Sequence, residues 1–93
     1  MANQPEAYDS ADYLTSVEDI AAYLEAAFED GDPAVITHAL GVVARAEGMT
    51  EVARRAGLTR ASLYKALSEN GRPEFETVLK VLRALGLKLT VAA

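Results

Sequence analysis

The sequence predicts an all-α chain closed by one short strand. Three observations carry the prediction. Apolar residues recur every three or four positions along most of the 93 residues, which is the spacing of a single helix face. Gly31, Gly48, Gly57 and Gly86 interrupt these runs where a helix would stop. Near the end, Leu87-Lys88-Leu89-Thr90-Val91 changes to an apolar/polar alternation of period two, a strand signal.

The elements follow in order. Residues 1–10 are polar and acidic and read as a lead-in. Thr15-Ser16-Val17-Glu18 has the form of a capping box, a hydroxyl with a carboxylate three residues on. Val17, Ile20, Ala21, Leu24, Ala27 and Phe28 then form the stripe of a first helix, which Gly31 ends. Asp32-Pro33 starts the second, because Asp caps exposed N–H groups and Pro lacks only a donor that the first turn cannot use. Its buried face is Ile36, Ala39, Leu40, Val43 and Ala44, and Gly48 closes it. Thr50–Ala56 is a third helix ended by Gly57, and Thr59 caps a fourth, Arg60–Leu67. Asn70-Gly71-Arg72-Pro73 is a turn. Phe75, Val78, Leu79, Leu82 and Leu85 mark the fifth helix, stopped by Gly86.

A lone strand leaves its backbone groups unpaired. Leu87, Leu89 and Val91 are therefore expected to lie in a two-stranded ribbon between the copies of a homodimer.

Charge divides the chain where no linker does. Residues 1–40 hold nine acids and no Lys or Arg. Residues 41–93 hold nine bases against five acids, a local +4 inside a total of −5. Binding responds to the local field, so the acidic total does not exclude nucleic acid. The chain is read as two regions. Residues 1–31 are an acidic segment and helix suited to a partner. Residues 32–93, which hold all the bases, are a region in which nucleic-acid binding is expected, ending in the strand.

Residues 49–71 read MTEVARRAGLTRASLYKALSENG. Ala53 is small where a second helix would cross the first. Gly57, four residues later, can take the positive φ of a tight turn. Val52, Ala56, Leu58, Leu63, Ala66 and Leu67 can hold two helices together, and Thr59 starts the second. This leaves Arg60, Ala61, Ser62, Tyr64 and Lys65 facing outward. Arg reads guanine through paired bonds, Ser suits a base edge or a phosphate, and Ala can meet a thymine methyl. Tyr64, Lys65, Arg54, Arg55 and Arg72 suit phosphate. The segment resembles the helix-turn-helix of the lambda-repressor/Cro (Xre-type) superfamily. The resemblance implies a five-helix lambda-repressor-like DNA-binding domain, here with an extra N-terminal helix and the terminal strand.

The wider arrangement also has a resemblance. YDSADYLTSVEDIAAYLEAAFEDGDP, then the helix-turn-helix, then GLKLTV, is similar to the small Xre-type antitoxins of addiction modules. Such relatives pair with a basic toxin of the RelE/ParE superfamily and repress their own operon. The resemblance implies a double-stranded DNA operator and a toxin as partners. An acidic front half would be steered towards a basic protein. Tyr8, Asp9, Asp12, Tyr13 and Leu14 are the expected contact residues, with Tyr8, Tyr13 and Leu14 as apolar anchors. Two other readings stay open: a stand-alone Xre-type repressor without a toxin partner, and an adaptor that keeps the fold but not DNA binding.

Other chemistry is not expected. The absence of cysteine removes disulfides and thiolate metal sites, and suits a cytoplasmic protein. No apolar run reaches the ~20 residues of a membrane span, and the N-terminus lacks the features of a signal peptide. His38 has no second ligand at metal spacing, and Glu29-Asp30-Gly31-Asp32 fails the calcium-loop pattern at Pro33. Ser62 and Ser68 lack a base, and no glycine-rich phosphate loop is present. An enzyme, a cofactor and a metal are all unexpected.

Overall fold

The computed structural model describes residues 14–93, which form five helices. These are α1 (Val17–Asp30), α2 (Pro33–Glu47), α3 (Met49–Ala56), α4 (Arg60–Ala66) and α5 (Phe75–Ala84). The N-terminal helix is one of the five, so residues 32–93 supply four.

Local chemistry sets the ends. Ser16, not Thr15, is the N-cap of α1, and its hydroxyl accepts from the Asp19 N–H at 3.1 Å. The N-cap is thus displaced by one residue without the reciprocal bond of a capping box, and the Thr15 hydroxyl donates instead to the Asp19 carboxylate. Asp32 caps α2 by accepting from the Ala34 N–H at 2.9 Å, with Pro33 in the first turn. Both α3 and α5 end in a Schellman arrangement. Leu58 N–H reaches Ala53 C=O and Leu87 N–H reaches Leu82 C=O, each at 2.9 Å. The positive φ these ends need falls on Gly57 (74°) and Gly86 (82°).

The core is one cluster. Leu40, Val43, Val52, Leu63 and Val81 are its largest fully buried side chains. Helix α3 is central and packs against α2, α4 and α5, while α1 packs against α2. Leu14, Ile20, Leu24 and Ala27 bring the N-terminal part into the same cluster. Gly41 lies buried in the middle of α2, where a Cβ would stand 2.9 Å from the Leu67 carbonyl oxygen. The missing side chain lets the end of α4 rest on α2.

Three expectations are corrected. Val17 and Phe75, placed in buried stripes by their spacing, are 50% and 66% exposed. Each is the first residue of its helix. Helical side chains lean towards the N-terminus, so a first residue leans past the packed face. The strand over 87–91 does not form among the described residues. A ladder needs a second strand, and no described segment offers one. Beyond Leu87 N–H the tail makes no backbone hydrogen bond among the described residues.

Candidate nucleic-acid interface

Helices α3 and α4 are joined by the tight turn Gly57-Leu58-Thr59. The turn leaves α3 through the αL residue Gly57 and enters α4 at Thr59, whose hydroxyl accepts from the Ser62 N–H at 3.0 Å. Ala53 and Val52 of α3 are buried, as is Leu63 of α4 (0% exposed), while Leu58 and Ala66 are half-buried. Helix α4 is therefore oriented by its cap at one end and Leu63 at its middle. Thr59, Arg60, Ala61, Ser62, Tyr64 and Lys65 are all exposed, with Tyr64 at 58%.

Arg54 and Arg55 lie in the last turn of α3, and Arg72 is exposed in the connection to α5. The two arginines of α3 are not independent. Both bond Glu51: Arg54 donates through Nε (3.1 Å) and Nη2, and Arg55 donates through Nε at 2.8 Å. These bonds, from Arg54 first and then Arg55, hold the Glu51 carboxyl at about 2, below its ordinary 4.5. They raise Arg54 in turn. The trio carries +1, with both guanidiniums held on one exposed carboxylate. Sequence reasoning missed Glu51, although its i,i+3 and i,i+4 spacing to the two arginines was the signal.

The other expected site residues separate. Tyr8, Asp9, Asp12 and Tyr13 lie outside the described residues. Leu14 is 7% exposed and belongs to the core cluster. It is not available as a surface anchor. In the tail, Leu87 is half-buried, Leu89 is 40% exposed and Val91 is 98% exposed. No described helix is long and apolar enough to cross a membrane.

Comparison with known proteins places the chain. It is 45% identical over 91 residues to an uncharacterized protein of Haemophilus influenzae (strain Rd), an alignment covering 98% of this chain and 94% of the relative. No solved structure matches it. Residues 4–93 match the family described as "Probable addiction module antidote protein". With nearly its whole length in that match, the chain belongs to the addiction-module antidote family, and its role is that of an antitoxin with a toxin as partner.

Proposed function

We propose that the chain is a sequence-specific DNA-binding antitoxin that represses its own operon and neutralises a toxin of the RelE/ParE type. One observation carries the DNA half: the α3–turn–α4 unit aims a capped helix outward with Arg60, Ser62, Tyr64 and Lys65 all exposed. In this reading it is an Xre-type helix-turn-helix, and α4 enters the major groove by its N-terminal turn. Arg60 reads guanine, Ser62 and Ala61 face neighbouring bases, and Tyr64, Lys65, Arg54, Arg55 and Arg72 hold phosphates. Thr59 fixes where α4 begins.

The protein works as a homodimer in the cytoplasm. A seven-residue recognition helix gives modest specificity, and a two-fold operator read by two copies doubles it. The exposed Val91 and Leu89, and the unbonded backbone after Leu87, suit pairing with the same segment of a second copy.

The test joins both halves. DNA upstream of the gene is titrated with the pure protein, and the toxin encoded beside it is co-expressed. Specific binding lost on substitution of Arg60, with toxin retained through purification, supports the proposal. A protein that retains toxin but leaves the duplex unbound at low salt would remove the repressor role. One that binds the duplex but never the toxin would be a stand-alone repressor.

A further inference from the structure

Away from α4, an open cleft of about 720 Å³ lies between α1 and the C-terminal tail. Leu24 and Leu82 form its floor, Phe28 and Ala22 one wall, and Leu87 and Leu89 the other. Polar groups sit at the rim: Glu25 and Glu29 on α1, and Lys88 and Thr90 on the tail. The cleft is thus apolar inside and net acidic at its edge.

The charge of α1 narrows the occupant. None of its carboxylates is in an ion pair among the described residues. Its last turn holds acids and no base, against the helix dipole, which favours cations there. Residues 1–40 supply no Lys or Arg to relieve this. A second copy that seated its own α1 here would bring the same unpaired acids against them, and like charges across an interface are costly. A basic occupant would meet Glu25 and Glu29 with opposite charge and satisfy the end of α1.

We propose that the cleft between α1 and the tail docks an amphipathic helix of the toxin, with apolar side chains on Phe28, Leu87 and Leu89 and Lys or Arg side chains on Glu25 and Glu29. Helix-in-groove docking of this kind uses apolar anchors at i, i+3 and i+4, flanked by charge. The inference rests on the antitoxin reading and assigns it a surface. Because the cleft is built from α1 and the tail, it leaves α3 and α4 uncovered, so toxin and DNA occupy different faces of one chain.

Two arms test it. In the first, a leucine-faced helical peptide of about 18 residues (five turns) is made with lysine flanks and with glutamate flanks. The full-length protein should bind the lysine form about tenfold more tightly, with amide shifts confined to residues 21–29 and 82–92. The charge reversal Glu25→Lys with Glu29→Lys should invert that preference at unchanged helical content. Equal affinity for the two peptides, or shifts centred on α3 and α4, would overturn the proposal. Concentration-dependent shifts of the protein alone at residues 21–29, away from the tail that pairs in the dimer, would assign the cleft to a second copy and also overturn it. In the second arm, the co-expressed toxin is retained by the wild type and lost from the double reversal and from Ala22→Trp, which fills the cleft from its exposed wall. Retention by both variants would move the toxin site elsewhere while the antitoxin reading stands. Failure of the wild type itself to retain toxin would count against that reading, and the peptide arm would still decide the cleft.

Discussion

Helices α1 and α4 both present charge to solvent, but they are held by opposite means. Helix α1 is 14 residues long and buries three side chains, Ile20, Leu24 and Ala27. Its acids extend along the outer face of a helix that has many points of support. Helix α4 has seven residues and one buried side chain, Leu63. So short a helix is unstable alone, and its orientation depends on a cap, a turn, Leu63 as its one buried helical side chain and the buried Leu67 that ends it. Single substitutions should therefore disable α4, whereas α1 should lose function only when several of its charges change together.

The largest effect should come from losing Leu63. Leu63→Ala should cost about 2–5 kcal/mol in chemical denaturation, the range for a buried leucine truncated in a packed core. It should abolish operator binding even where the rest of the chain remains folded. Leu24→Ala in α1 should cost a similar amount of stability but leave the operator affinity of the folded fraction unchanged. If both variants weaken DNA binding equally, the two helices are not independent and the contrast fails.

Arg60→Ala should come next. It is exposed in the first turn of α4, so the fold loses nothing measurable. Specific affinity should fall by about 1–3 kcal/mol, with selectivity relaxed at one base pair. Fluorescence anisotropy on the operator and on a single-base variant separates the outcomes. An equal loss on both sequences would make Arg60 a phosphate contact and shift the reading face along α4.

The cap is a smaller lever. Thr59→Ala removes the 3.0 Å bond to the Ser62 N–H and should cost about 1 kcal/mol, a fall in melting temperature of roughly 4–8 °C for a chain of this size. Thr59→Asn should restore most of it, because Asn caps equally well. A melting temperature unchanged in Thr59→Ala would mean that the turn alone fixes the start of α4.

Much of this contrast is legible in the residues, for a local reason. Thr59, Gly57 and Asp32 act within three residues of themselves, so their chemistry can be read without knowing the fold. What was not legible depends on distant parts of the chain. Periodicity treats a helix as endless, so it buries Val17 and Phe75, although each stands at a helix start with no turn before it. Gly41 looks like a weak point inside α2 until the Leu67 carbonyl is placed against it. The alternation in 87–91 describes a side-chain pattern, while strand formation depends on a partner that the pattern does not name. In the front half, Leu14 has the composition of an anchor and the burial of a core residue, and only packing distinguishes the two.

The smallest effect on stability should come from Glu51→Gln, whose effect on binding is a change in selectivity. The carboxylate holds Arg54 and Arg55 on an exposed surface, where such pairs contribute little to the fold. In the proposed DNA complex it has a different role, since it competes with phosphate for the donors of both guanidiniums. Removing its charge should strengthen binding to unrelated duplex and steepen the dependence of log affinity on log salt by about 0.9 for each phosphate newly engaged. The operator should gain less than unrelated DNA, so Glu51→Gln should be a less selective protein. The pH dependence has a definite sign. Glu51 is held at about 2 in the fold against an ordinary 4.5, so what it adds to stability is complete above pH 4.5 and is lost as pH falls through 2. Its carboxyl carbon should titrate near 2 at low salt and move towards 4.5 at high salt, as screening loosens exposed pairs. A midpoint near 4.5 at every salt concentration would mean that the two arginines are already free, and that the selectivity of α3 and α4 does not depend on this carboxylate.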